Sequence, residues 1–376
     1  MRILTILAFL FTNFAFAQLN TGTGAELNCT EDTFANPAIN PDLTYHCQDV
    51  IIGNLSTINL NDRSLPLTIR ATGSVTINGN ILFQGTDGNG DSSGGPGGGI
   101  GGIFFISGSP GEPTFPFPEP PQGGETPSQS AECPNGEAEG SGGGGGSLLT
   151  YGDNGKAGVY LIGDATVILG GPGGGTLYSF DLNNFFSAGA GGGSGEAGCK
   201  TGDAPIDASN GGGGGGGIRI ISAGDITITG TINVSGGNGG SLTTIGGAGG
   251  GGSGGVIVLQ SLSKINLKST LLALGGKGGT NSTPGDGGNG GNGAPGLIYL
   301  EDMDGTRTYS GSFTPLSPSS SKQSLNSDIS CGTIAKAEES NSTSLMMMVM
   351  GFLLVLGTKI LFQFPMKLSR KFVRRN

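Results

Sequence analysis

The sequence predicts an all-β body, a parallel β-helix or β-solenoid with glycine-rich loops, followed by one C-terminal transmembrane helix. Three observations predict it. A 22-residue pattern recurs within the chain, apolar residues inside each copy alternate with a period of two, and 79 of 376 residues are glycine. An antiparallel β-sandwich is the alternative architecture, because the strands are short and turn signals frequent.

The repeat is explicit. Leu67–Gly88 (LTIRATGSVTINGNILFQGTDG) aligns without a gap on Ile218–Gly239 (IRIISAGDITITGTINVSGGNG) at an offset of 151. Val75 and Ile77 match Ile226 and Ile228, Gly79 matches Gly230, and Ile81 and Phe83 match Ile232 and Val234. A third copy from Val256 (VIVLQSLSKINLKSTLLALGGKGG) fits with one extra residue between its first two strands. Gly158–Leu169 (GVYLIGDATVIL) reads as a partial copy, and Gly296–Leu300 as another first strand. Alternation puts Val75, Ile77, Ile226, Ile228, Ile265 and Leu267 on one face and Thr, Asn or Lys on the other. One unit has too little apolar surface to fold alone, so the units are expected to stack along an axis.

Taken from the N-terminus, residues 1–17 (MRILTILAFLFTNFAFA) carry a basic start at Arg2, an apolar run and an Ala15-Phe16-Ala17 end, the pattern of a secretory signal peptide cut before Gln18. Residues 18–49 form an N-terminal cap containing Cys29 and Cys47, and 50–309 the glycine-rich solenoid, with a proline-rich insertion at 108–139 that reads as a protruding loop. Residues 310–344, rich in Ser and Thr, read as a stalk. Residues 345–364 (LMMMVMGFLLVLGTKILFQF) have one charge, Lys359, and twenty helical residues span about 30 Å, the thickness of a hydrocarbon core. The tail 365–376 carries five Lys and Arg and is expected on the cytoplasmic side, which leaves the body outside the cell. A charged end also disfavours a GPI signal.

The glycine tracts at 94–102, 140–147, 211–217 and 246–255 admit two readings. They are either flexible loops or extended chains packed backbone to backbone, related to polyproline II. Gly285, Gly288 and Gly291 show a three-residue period that stops at Ala294.

Charge and composition narrow the function. All 28 acidic residues fall within 18–344, together with 11 of the 18 basic ones, so the body carries a charge of 11 − 28 = −17. Such a body repels phosphate backbones, and a nucleic-acid partner is not expected. With one histidine and no tryptophan, a multi-histidine metal centre is out of reach. His46 beside Cys47 is a formal Cys-His pair, but adjacent strand residues face opposite ways and Cys47 is better used in a disulfide. Five cysteines in an exported chain fit two disulfides, Cys29–Cys47 and Cys133–Cys199, with Cys331 left over.

Asp87, Asn89 and Asp91 alternate like the start of a calcium loop, and Glu301, Asp302 and Asp304 precede Gly305. Gly98 and Phe313 stand where the bidentate Glu is needed, and Ser241 replaces the Asp of a calcium nonapeptide, so solvated turns are the better reading. Gly155-Lys156 and Gly276-Lys277 lack the rest of a phosphate loop. No catalytic residue, cofactor or metal ligand is assigned.

The repeat plan over residues 50–305 resembles the broad class of glycine-rich β-helical exported bacterial surface proteins. About the last 35 residues resemble the C-terminal sorting segments of some such proteins, in which a helix with an arginine-rich end follows a Ser- or Gly-rich spacer. The Cys or Gly-Gly that several sorting families place just before the helix is not matched, since Cys331 lies 14 residues ahead of Leu345. A segment of that kind would be removed during export. The expectation is a non-catalytic cell-surface structural or adhesin-like protein, touching the membrane through its C-terminal helix and polysaccharide or envelope proteins through its body. The alternative is a surface polysaccharide hydrolase or lyase, by analogy of fold.

Overall fold

The computed structural model describes residues 28–35, 42–60, 64–103, 106–111, 122–125, 140–160, 166–168, 170–174, 187–198, 208–282, 287–303 and 308–314. The expected signal peptide 1–17, the expected membrane span 345–364, the basic tail, and Cys133, Cys199 and Cys331 lie outside them. Among the described residues no helix is long and apolar enough to cross a membrane.

Runs rich in Ile, Val, Leu and Thr, punctuated by Gly, Asn and Ser, become short strands. The chain begins with β1 (Cys29–Thr30) and a short helix α1 (Glu31–Ala35). A first coil follows, made of β2 (Thr44–Cys47), β3 (Val50–Ile52) and β4 (Thr57–Ile58), and a second of β5 (Leu67–Ala71), β6 (Val75–Ile77) and β7 (Asn80–Leu82). After β8 (Gly158–Tyr160) and β9 (Thr166–Ile168) come three more coils. They are β10 (Gly217–Ser222), β11 (Ile226–Ile228) and β12 (Ile232–Asn233); β13 (Val256–Ser261), β14 (Ile265–Leu267) and β15 (Thr270–Leu272); and β16 (Leu297–Asp302), β17 (Thr308–Tyr309) and β18 (Ser312–Thr314).

Each coil gives one strand to each of three sheets. The first has the order β16-β13-β10-β5-β2, the second β1-β3-β6-β11-β14-β17 and the third β18-β15-β12-β7-β4. Every ladder in the three sheets is parallel. This winding is consistent with the predicted β-helix and not with the sandwich, whose ladders would be antiparallel. The register of the second and third coils is that of the sequence alignment: Ile218 pairs with Leu67, Ile226 with Val75 and Ile232 with Ile81.

Two expectations are corrected. The third copy needs no extra residue between its strands, because Ile257, Ile265 and Leu271 pair with Ile218, Ile226 and Ile232, a constant shift, and Val256 pairs with Gly217. β10 and β13 are buried on both faces, so their apolar runs carry no alternation that fixes the phase. Gly158–Leu169 is not a coil: β8 and β9 pair only with each other, antiparallel. A hairpin satisfies the same short alternation as two coil strands.

Inward residues stack coil on coil. Val75, Ile77, Ile81, Ile226, Ile228, Ile232, Ile265, Leu267 and Leu271 are all fully buried in one cluster, each contributing about 1.5–3 kcal/mol by leaving water. At the N-terminal end α1 closes the stack. Phe34 is fully buried, edge-on to Tyr45 at 5.0 Å. The Cys29–Cys47 disulfide ties β1 to β2 across 18 residues, worth about 3 kcal/mol in the chain-entropy account. Closing the end also keeps the first coil from pairing edge to edge with another chain.

The described segments between coils form a glycine bundle, hydrogen-bonded chain to chain. Gly211, Gly214 and Gly217 donate their amides to Gly102, Gly99 and Pro96; Gly212 and Gly215 to Gly250 and Ser253; Gly213 and Gly216 to Thr86 and Phe83. Amides of a β-strand alternate between two sides, whereas these rotate through three directions with a period of three. That is the geometry of polyproline-II-type chains, which have no internal hydrogen bonds and must find partners outside. Gly288, Gly291 and Ala294 donate in the same rhythm to Gly140, Gly143 and Gly146, so the period continues through Ala294. The described parts of the proline-rich insertion, 108–111 and 122–125, join the bundle, Gly124 donating to Gly191 and Glu125 to Pro172. Leu148, at the end of the segment 140–147, packs on Val256, Val258 and Leu297 and so covers the outer face of the first sheet.

Two measurements check this architecture. Ile228→Ala should lower the urea midpoint by the equivalent of about 2–5 kcal/mol, and Ile228→Asp by more, because it buries an unpaired charge. Thr227→Ala, on the outer face of the same strand, should stay within about 0.5 kcal/mol. A Cβ at Gly213 would fall on the carbonyl oxygen of Ser93, whereas one at Gly90 meets only the Asp87 oxygen, at 3.3 Å. Gly213→Ala should therefore destabilise by about 1–3 kcal/mol or more, and Gly90→Ala by much less.

Candidate binding face

The outer faces of the second and third sheets, and the turns that follow them, remain open to solvent. Because each coil repeats the same pattern, outward residues fall into columns parallel to the stacking axis. On the second sheet Thr76, Thr227, Asn266 and Thr308 stand in register. On the third, Thr270 and Ser312 are paired with their hydroxyls 3.1 Å apart, and the amide of Thr231 donates to Asn80 Oδ1. Coils repeat about every 4.8 Å along a column, and outward positions about every 6.6 Å along a strand.

Columns continue into the bundle, where outward residues recur every third position. Asn238 stands over Asp87 and under Lys277, its amide donating to Asp87 Oδ1 at 2.7 Å and its own Oδ1 accepting from the amide of Lys277 at 2.9 Å. The amide of Ser241 likewise donates to Asn89 Oδ1 at 3.2 Å, and that of Thr280 to Ser241 Oγ at 3.0 Å. Side chains on one coil thus template the backbone of the next. Asn233 Nδ2 donates to Gln84 Oε1 at 2.7 Å, and Thr229 Oγ1 to Asn78 Oδ1 at 2.8 Å. The face carries hydroxyls and carboxamides, several of them held by such bonds, interspersed with outward Ile51, Leu82 and Leu272 and with Asp87, Lys268 and Lys277 as scattered charges.

The first sheet presents a different surface. Arg219, buried, donates through Nε and Nη2 to Gln260 Oε1 at 3.1 and 2.8 Å, and Gln260 Nε2 donates to Glu301 Oε2 at 2.7 Å. This polar chain crosses the third, fourth and fifth coils and satisfies groups that would be costly to leave unmade under the bundle.

The residues weighed from sequence fall as follows. Cys29 and Cys47 are bonded to each other, which removes Cys47 from any Cys-His pair. His46 is half-buried opposite Arg70, with Nδ1 buried and unpartnered. Asp87 and Asn89 cap the next coil rather than converge on one point. Asp91 Oδ1 accepts from Thr86 Oγ1 at 2.6 Å and from the amide and hydroxyl of Ser93. Glu301 is taken by Gln260, and Asp304 and Gly305 lie outside the described residues. Among the described residues no group of three or more His, Cys, Asp or Glu is placed to hold a metal ion. The stitching by Asp87 and Asn89 was missed in the sequence, although the offset of 151 already sets Asp87 against Asn238. No family model matches the chain, and no curated protein or solved structure is detectably similar to it.

The Asp91 turn has a pH signature. The Thr86 hydroxyl, followed by the Ser93 amide, holds its carboxyl below the ordinary carboxylate value. A carboxyl lowered in the folded state stabilises above its unfolded value and loses that contribution as pH falls through the folded one. Exchange of the Ser93 amide, corrected for intrinsic rate, should rise on acidification through that range, and Asp91→Asn should abolish the pH dependence.

Proposed function

We propose that the chain is a non-catalytic cell-surface protein, adhesin-like or structural in the envelope, whose three parallel sheets form one β-helix displayed outside the membrane. The observation that carries this reading is the set of neutral polar columns running in register over four coils on the open faces. Polysaccharides present hydroxyls at regular spacing, and a rigid array of hydroxyl and carboxamide groups meets them with many weak hydrogen bonds at little ordering cost. In this reading residues 1–17 direct export, the Ser- and Thr-rich stretch from the end of β18 to residue 344 holds the body away from the cell, 345–364 anchor it in the membrane and 365–376 stay in the cytoplasm. The polysaccharide, or an envelope protein bearing it, is the partner of the body; the acidic charge turns nucleic acid away.

The test is a glycan array read for both retention and turnover, with the full-length chain in detergent micelles. Retention without product is expected, and Thr76→Glu with Thr227→Glu should weaken it at least tenfold without lowering the unfolding midpoint appreciably. Release of cleaved sugar, or retention indifferent to these substitutions, would overturn the reading. Protease added to intact cells should remove the body; full protection would rule out the topology.

A further inference from the structure

The glycine bundle contains a group that its architecture does not require. Glu196 lies in the segment 187–198 and is 1% exposed. Its amide donates to the carbonyl of Ser141 at 2.9 Å, and its carbonyl accepts from the amide of Gly247 at 2.7 Å, so its backbone is locked between two neighbouring chains. Its side chain is served by one residue. Ser141 Oγ donates to Oε2 at 2.7 Å, with the Ser141 amide more distant at 3.4 Å. Oε1 is buried and makes no hydrogen bond.

Among the described residues, the chains packed around it bring no charge to it. Gly140 and Ser141 face it from one side, Ile245, Gly247 and Ala248 from another, and the carbonyl of Ser209 accepts from neighbouring Gly195. Ser194 and Ala197 flank it on its own segment. A buried carboxylate needs several donors or a cation, and leaving one oxygen of an ion uncompensated costs far more than leaving one oxygen of a neutral acid.

We propose that Glu196 and Ser141 form a protonation-controlled latch in the glycine bundle: the segment 140–147 is held against 187–198 while the carboxyl is neutral, and that end is released when it ionises. The segment ends in Leu148, which covers Val256, Val258 and Leu297, so release also loosens the cover over the first sheet. Burial raises the carboxyl above its ordinary value, opposed by the hydroxyl and amide of Ser141. A carboxyl raised in the folded state contributes fully below its unfolded value and loses that contribution as pH rises through the folded one. The bundle is therefore tightest in acid.

Hydrogen exchange of the full chain, followed by mass spectrometry across pH and corrected for intrinsic rate, tests the latch. Protection of 140–148 and 187–198 should fall at least tenfold as pH rises through the carboxyl's raised value, while Glu196→Gln keeps protection level over the same range. Ser141→Ala removes the hydroxyl that favours the ion, and should move the transition to higher pH. Parallel exchange of wild type and Glu196→Gln at every pH would overturn the proposal. If the Gln variant does not fold, the Ser141→Ala shift decides alone: no shift, or one toward lower pH, overturns it.

Discussion

The structure depends on the need of every buried backbone amide for a partner where no side chain mediates the packing. In the five coils that need is met by parallel ladders. In the segments between them it is met by glycine. A residue without Cβ lets carbonyls of neighbouring chains approach from three sides, so Gly211–Gly217 can donate in turn to three different chains. Equivalent residues of the second and third coils are offset by 151 positions, yet the two coils stack as immediate neighbours. A long connection imposes a closure entropy on that contact; the described glycine segments of this one contribute hydrogen bonds of their own. The bundle also explains why β10 and β13 are buried on both faces: Leu148 and the glycine chains cover the side that solvent would otherwise reach.

What could be read from the sequence was what repetition and period encode. The offset between Leu67 and Ile218 gave the register directly, since a one-residue slip would turn Ile226 and Ile228 to solvent. The Cys29–Cys47 bond followed from two cysteines flanking one short segment. What could not be read had lost its phase or its context. VIVL at 256–259 is buried on both faces, so nothing in the run distinguishes inward from outward. GVY and TVI look like coil strands because three residues of alternation fit a hairpin equally well. Ala294 looked like the end of the glycine period, yet its amide keeps the rhythm, because a methyl at that point has room where one at Gly213 does not. Glu196 gave a weak signal as a lone acid in GSGEAG, but only the fold shows that it is buried.

The same repetition that builds the core orders the surface. In a parallel stack, whatever occupies an outward position in one coil stands over its counterpart in the next, and Asn, Asp, Ser and Thr at those positions bond to the neighbouring backbone as well as to solvent. Asp87, Asn238 and Lys277 illustrate the consequence: the first two side chains are fixed by capping the coil above them, and the third projects freely. Described carboxylates such as Asp91 and Asp225 are likewise spent as acceptors in turns.

Rigidity decides what such a face is good for. A flexible hydroxyl-rich surface loses rotamer freedom with every contact, about 0.5–1.5 kcal/mol for each long side chain immobilised, and short Ser, Thr and Asn side chains already bonded to the fold have little left to lose. Weak contacts can then add along a column without a growing entropic cost. That rigidity is inherited from the glycine chains, which tolerate no side chain at their closest approaches. A loosening anywhere in the bundle would therefore be felt at the face, and Glu196, a buried group that can change charge, is bonded to Ser141 near the start of the chain that ends in Leu148 over the first sheet.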